Sequence, residues 1–174
     1  MQRSVKASPF ILFLLCTIAY ANPTEILMYQ LTQQGIGASI GTITVTATPQ
    51  GTKFIPNLKQ LSPGLHGFHI HQQPSCDSAE KKSNIVPGLA AKGHFDPTET
   101  GYHAGPEGTG HLGDLPPLIV DQGGKATTPV IAPRVKLNDL KGRALIIHAS
   151  GDNFSDEPKK LGGGGARVAC GIIE

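Results

Sequence analysis

From Gln72 to Pro117 the chain runs without any stretch that keeps a helical or a strand period. Loops this long are uncommon inside a compact domain, because little in them offsets the entropy of ordering the backbone. Whatever the chain folds into must tie this segment down. The means are visible within it. Cys76 lies near its start, and His94, His103, His111 and Asp114 follow. Three imidazoles and one carboxylate match a closed, four-coordinate zinc site. His111 and Asp114 stand three apart and can converge from one turn. Pro106, Gly108, Gly110 and Gly113 allow the backbone to fold tightly around an ion. Metal binding would then supply the order that no apolar core supplies. A second segment without an element, Ala149 to Ala166, closes on the glycine run Gly162–Gly165.

Outside these two loops the sequence reads as strands. Ile26–Thr32 is one. Ile40–Thr48 is another, with Ile43, Val45 and Ala47 alternating with threonines. A turn at Pro49-Gln50-Gly51 leads into Lys53–Leu58. Gly67–His71, Leu118–Val120, Ala126–Ile131, Leu145–His148 and Val168–Ile173 complete eight short strands. No long segment keeps a helical period, and glycine and proline punctuate the chain throughout. The pattern predicts an all-β, eight-stranded antiparallel sandwich or barrel with two long functional loops.

The seven histidines sit at 66, 69, 71, 94, 103, 111 and 148, none in the first third of the chain. His69 and His71 are two apart on a strand, so both imidazoles leave one face while Phe68 and Ile70 face the other. That is half of a nitrogen-rich metal site. His148 ends an apolar strand on the same side as Ile146 and can join from across the sheet. His66 has the opposite parity and reads as a structural, hydrogen-bonded histidine. Imidazole-rich, oxygen-poor donors favour zinc or copper over calcium or magnesium.

The N-terminus reads as a secretory signal. Arg3 and Lys6 precede an apolar stretch from Pro9 to Ile18 and then Ala19-Tyr20-Ala21. The stretch is too short to span a bilayer, which needs about 20 apolar residues. Cleavage after Ala21 leaves 22–174 as a single domain with no membrane segment. Cys16 departs with the signal, and Leu15 before it is too bulky for lipoprotein processing. Cys76 and Cys170 then read as one disulfide of an exported chain, worth about 4–5 kcal/mol in the chain-entropy model. Loss of Arg3 and Lys6 from 15 basic residues leaves a balance with the 13 acidic ones. With no basic tract either, nucleic acid is not an expected partner.

Several motifs together resemble the Cu,Zn superoxide dismutase family, in its bacterial branch. Leu65-His66-Gly67-Phe68-His69-Ile70-His71 is similar to that family's copper-ligand strand. Gly93-His94-Phe95-Asp96-Pro97, His103 and Gly110-His111-Leu112-Gly113-Asp114-Leu115-Pro116 resemble its zinc loop. Gly162-Gly163-Gly164-Gly165-Ala166-Arg167-Val168-Ala169-Cys170-Gly171 resembles its C-terminal signature. The resemblance implies a Greek-key β-barrel that holds one copper and one zinc per subunit. It implies copper on His69, His71, His94 and His148, and zinc on His94, His103, His111 and Asp114, with His94 shared. It implies a catalytic part for His94 as proton carrier and for Arg167 as the attractor of the anionic substrate. Asp152 would link His69 to His103, and Cys76 would pair with Cys170. The implied reaction takes two superoxide anions and two protons to dioxygen and hydrogen peroxide by copper redox cycling. Lys81 and Lys82 are candidates for steering the anion. A secreted, periplasmic enzyme is expected, and the resemblance leaves a homodimer and a monomer both open. Rival readings are a copper-delivery relative, a metal-sequestering envelope protein and an adhesion module with structural metals. None of these needs Arg167 together with a complete ligand set.

Overall fold

The computed structural model describes residues 23–174, so the signal segment read from the sequence lies outside the described residues. The strands are β1 (Thr24–Thr32), β2 (Gly35–Thr48), β3 (Gly51–Leu58), β4 (Gly64–His66), β5 (Phe68–His71), β6 (Ala79–Lys81), β7 (Asn84–Val86), β8 (Leu118–Val120), β9 (Val130–Ala132), β10 (Arg143–His148) and β11 (Arg167–Ile173). Helical structure among the described residues amounts to one short α1 (Leu137–Leu140) and two 3₁₀ turns.

Seven strands form one curled antiparallel sheet in the order β5-β10-β11-β1-β2-β3-β9, and β4 pairs with β8 in a separate ribbon. The chain makes the β1-β2-β3 meander, crosses over, and returns at the far edge as β5 beside β10, a Greek-key path. Both the sheet and the ribbon feed one core. Phe54 and Phe68 meet edge to face at 5.5 Å, packed with Ile26, Met28, Ile43, Val45, Leu118 and Leu145. Each such side chain contributes about 1.5–3 kcal/mol by leaving water.

The run Ala144–Ile147 is buried throughout because β10 is covered on both faces. Leu145 and Ile147 enter the main core. Ala144 and Ile146 join Cys76, Ala91 and Cys170 in a second cluster on the opposite face. There the Cys76–Cys170 disulfide, Cα–Cα 5.7 Å, fastens the long loop to β11.

The structure departs from the strand pattern of the sequence in three places. The run Gly67–His71 is broken at Gly67. There the chain leaves β8 as its partner and takes up β10, with Gly67 N donating to Ser150 O at 2.7 Å. The run Ala126–Ile131 shrinks to β9, with Ala126 kept only as an isolated bridge to Leu58. Pro129 between them has no N–H to give a ladder. The segment after Gln72 does contain a hairpin, β6–β7. Its turn residues Lys82 and Ser83 both have positive φ, 51° and 62°, which a two-residue hairpin turn needs but which this pair of residues does not announce.

Candidate metal centre

β5 and β10 bring the first histidines together. Ile146 faces His69 and Ala144 faces His71 across the ladder, so both imidazoles lie on the face away from the main core. His148 ends β10 on that same face. His94 comes from the long loop through a junction centred on Ile70. Phe95 N donates to Ile70 O at 2.8 Å, Gly113 N to Phe95 O at 2.8 Å, and Ile70 N to Gly113 O at 2.9 Å. A β-carbon on Gly113 would stand 2.3 Å from Ile70 O, so only glycine closes this junction. The junction also delivers Asp114 beside His69.

Two four-residue groups result. Ligand atoms of His69, His71, His94 and His148 all lie within 4.8 Å of one another, as do those of His94, His103, His111 and Asp114. All seven side chains are buried. In the second group Asp114 Oδ1 stands 2.9 Å from His94 Nδ1, 3.0 Å from His103 Nδ1 and 3.3 Å from His111 Nδ1.

The remaining ring nitrogens are committed in an ordered way. His71 Nδ1 donates to Lys92 O at 2.8 Å and His148 Nδ1 to Gly165 O at 3.2 Å. The two oxygens of Asp152 take His69 Nε2 at 2.6 Å and His103 Nε2 at 2.8 Å. A carbonyl or carboxylate oxygen can only accept, so each of these nitrogens carries the proton and the opposite one keeps a lone pair. His69 Nδ1, His71 Nε2, His94 Nε2, His103 Nδ1 and His148 Nε2 are buried without a hydrogen-bond partner. His103 Nδ1 is near Asp114 but out of line for a bond. A buried polar atom left unpaired costs about 1–3 kcal/mol. Five gathered in two adjoining groups fit metal ions. The all-imidazole set suits copper, and the three imidazoles with one carboxylate suit zinc. His94 turns Nε2 to the first group and Nδ1 to the second.

The electrostatics keep the lone pairs of His69, His71, His94 and His148 available and hold His103 protonated until a metal displaces the proton. Burial, then the charge of neighbouring His94, holds His69 and His71 well below the ordinary imidazole range. Burial lowers His94 as well, and takes His148 down to about 4. Burial opposes ionisation of Asp114 and Asp152, yet hydrogen bonds from the histidines outweigh it and hold both far down. At His103 burial is outweighed by Asp114 and Asp152, which raise it to about 9.

Arg167 faces His148 at the start of β11. Its Nη1 donates to Gly88 O and its Nη2 to Lys92 O at 2.5 Å. Lys81 and Lys82 sit on the exposed β6–β7 hairpin. His66 turns Nδ1 to His148 O at 2.6 Å and Nε2 to Ser62 O at 2.8 Å, a structural use of both nitrogens.

Three contributors escape a reading of the sequence. Lys92 acts through its carbonyl, which any residue carries. Asp156 Oδ2 accepts from His103 N at 2.9 Å while Oδ1 accepts from Leu161 N at 2.8 Å, tying the second loop to the first. Gly162, φ 70°, lies flat against Asp152, where a β-carbon would come within 2.1 Å of Oδ1. The glycine run is legible in the sequence, but its contact with Asp152 is not.

A family model described as copper/zinc superoxide dismutase matches residues 39–173. The copper-zinc superoxide dismutase of Escherichia coli K12 is 54% identical over 159 residues, covering 91% of this chain and 92% of that protein. Among solved structures, the Cu/Zn superoxide dismutase from Brucella abortus superposes with a TM-score of 0.87 at 49% identity, covering 88% of this chain and 100% of the other. A solution structure of the monomeric copper, zinc superoxide dismutase from Salmonella enterica gives 0.80 at 55% identity, with coverage of 88% and 100%.

Proposed function

The chain belongs to the copper/zinc superoxide dismutase family, and from that premise we propose how its own residues divide the work. The enzyme converts two superoxide anions and two protons to dioxygen and hydrogen peroxide, with copper and zinc as cofactors. When bound, copper supplies the one-electron chemistry and zinc a fixed positive charge.

His69 Nδ1, His71 Nε2, His94 Nε2 and His148 Nε2 hold copper. Nδ1 of His94, His103 and His111 with Asp114 hold zinc. Asp152 and the carbonyls of Lys92 and Gly165 fix the ring orientations of the ligands they touch. Arg167 remains protonated despite burial, because its ordinary value is so high, and it draws the anion to the histidine group. Its two main-chain acceptors hold the guanidinium still, so little ordering is left for the moment of binding. When it is not engaged by copper, His94 Nε2 would hold the proton that passes to the oxygen leaving as peroxide, with Nδ1 kept on the zinc side. The observation that carries this division of roles is the set of five unpaired buried nitrogens beside a tethered guanidinium.

The same reading covers the setting. A cleaved signal at 1–21, a mature domain at 22–174 and a disulfide that needs an oxidising compartment support export to the periplasm. The balanced charge speaks against nucleic acid. Among the described residues no helix is long and apolar enough to cross a membrane. The monomeric relative from Salmonella enterica, at 55% identity, favours a single subunit over a homodimer.

The test is superoxide dismutation by chelator-stripped protein reloaded with zinc and then copper, beside His148→Ala. Turnover in the copper-loaded wild type, with copper binding and turnover lost in the variant, is expected. A variant that keeps both the copper(II) absorption band and the turnover overturns the ligand assignment.

A further inference from the structure

Arg134 lies between β9 and α1, outside both groups of ligands, and no role above uses it. Its half-buried guanidinium donates only to main-chain carbonyls of one loop. Nε reaches Pro106 O at 3.0 Å, Nη1 reaches Gly110 O at 3.1 Å, and Nη2 reaches Gly105 O at 3.3 Å and His111 O at 2.6 Å. Residues 105 and 106 follow His103, while 110 and 111 lead into Asp114. One planar fork therefore pins the outgoing and returning arms of the loop that bears three of the four proposed zinc ligands. Its shortest contact is on the carbonyl of a ligand itself. Four carbonyl oxygens converging on one point repel one another unless donors stand between them. Within the loop itself, His111 N donates to Tyr102 O at 3.0 Å, Ala104 N donates to Asp114 Oδ2 at 3.1 Å, and Tyr102 meets Thr109 through their hydroxyls.

We propose that Arg134 is a positioning residue for the zinc centre, closing the 105–111 loop before the metal arrives. The inference rests on the zinc assignment given above. With the loop already ordered in the metal-free protein, zinc has less conformational entropy to overcome on binding. The effect belongs to zinc affinity and retention and not to the stability of the barrel. Lysine is no substitute, because a compact ammonium with three donors cannot span four carbonyls.

The experiment strips the holoenzyme with chelator and titrates zinc against a chromophoric competitor in wild type, Arg134→Gln, Arg134→Lys and His111→Ala. Thermal unfolding of each metal-free form and the copper(II) spectrum of each reloaded form are recorded alongside. Arg134→Gln is expected to weaken zinc about tenfold or more, the range found for residues that orient metal ligands. Arg134→Lys is expected to recover little of this. Both should keep the wild-type copper spectrum, and the unfolding midpoint should fall more in the zinc-loaded form than in the metal-free form. Zinc affinity within twofold of wild type in Arg134→Gln, with His111→Ala impaired, overturns the proposal. So does an equal fall in the unfolding midpoints of the metal-free and zinc-loaded forms. If Arg134→Gln does not fold, wild-type zinc affinity in Arg134→Lys is the overturning result. Undiminished zinc affinity in His111→Ala would instead remove the ligand assignment on which the proposal stands.

Discussion

Arg167 Nη2 donates to the main-chain oxygen of Lys92 at 2.5 Å, across 75 positions of sequence, and that oxygen also accepts Nδ1–H of His71 at 2.8 Å. A single carbonyl thus orients both a histidine of the first group and the guanidinium beside it. Lys92 presents it from φ 63°, ψ −149°, a region that residues with a β-carbon avoid.

Lys92→Gly should relieve that strain, worth roughly 1–3 kcal/mol. Glycine's greater freedom in the unfolded chain takes back roughly 0.5–1 kcal/mol. A net gain of about 1 kcal/mol is expected, with turnover retained because the carbonyl stays. Urea unfolding and a dismutation assay check it; a less stable variant would show that the backbone is not strained there.

The disulfide bears on the same carbonyl. Both acceptors of Arg167, Gly88 and Lys92, lie on the segment that Cys76 fastens to Cys170. In Cys76→Ser/Cys170→Ser the unfolded chain is freed of a crosslink spanning 94 positions, a loss of up to about 5 kcal/mol. Turnover should fall further than bound copper and zinc, because the guanidinium loses both of its acceptors while, of the ligands, only His71 shares one of them. Metal analysis beside activity tests this, and equal losses would refute it.

Asp152 gives one oxygen to His69 and the other to His103. In Asp152→Asn one of these N–H groups faces an amide NH₂. Copper and zinc affinities should both drop, by about 10–100-fold. Gly162→Ala should do the same without touching a polar group, since its β-carbon would displace the carboxylate. Competition with chelators measures both variants. Wild-type affinities in Gly162→Ala would break the link.

Stability of the metal-free protein should peak near pH 6.5. Burial keeps His69, His71 and His148 from taking protons that the unfolded chain takes below about 6.5, so the stability present above that pH is lost on acidification. His103 acts in the opposite sense. Raised to about 9, it adds stability that is complete below 6.5 and lost as pH rises through 9. Zinc on the His103 lone pair should flatten the alkaline side. Urea midpoints from pH 5 to 9 test this; a midpoint still climbing at pH 9 in the stripped protein contradicts it.

Much of the site was legible because strand parity is strict. Phe68 and Ile70 had to enter the core if His69 and His71 were to share the other face. The spacing of His111 and Asp114 announced a turn. The sharing of His94 between two groups was not legible from spacing, because it depends on a junction that Gly113 closes through main-chain contacts. For the same reason Lys92 gave no signal. Arg134 gave none either, since a surface arginine and one that caps four carbonyls look alike until the chain is folded. In β10 the unbroken run Ala144–Ile147 concealed the alternation, because the disulfide cluster buries the face that water would otherwise have marked with polar residues.

β11 lies between β10 and β1, and Tyr29 stands opposite Cys170. The last strand of the chain is therefore an interior strand of the sheet. A polypeptide emerging N-terminus first can make the β1-β2-β3 meander early, but β1 and β10 keep open edges until residues 167–173 arrive. Arg167 and Cys170 travel on that strand, so crosslink and guanidinium fall into place together. The order of biogenesis is thereby written into the topology: a chain cut short before Arg167 has every histidine it needs on a sheet split in two, β5-β10 on one side and β1-β2-β3-β9 on the other.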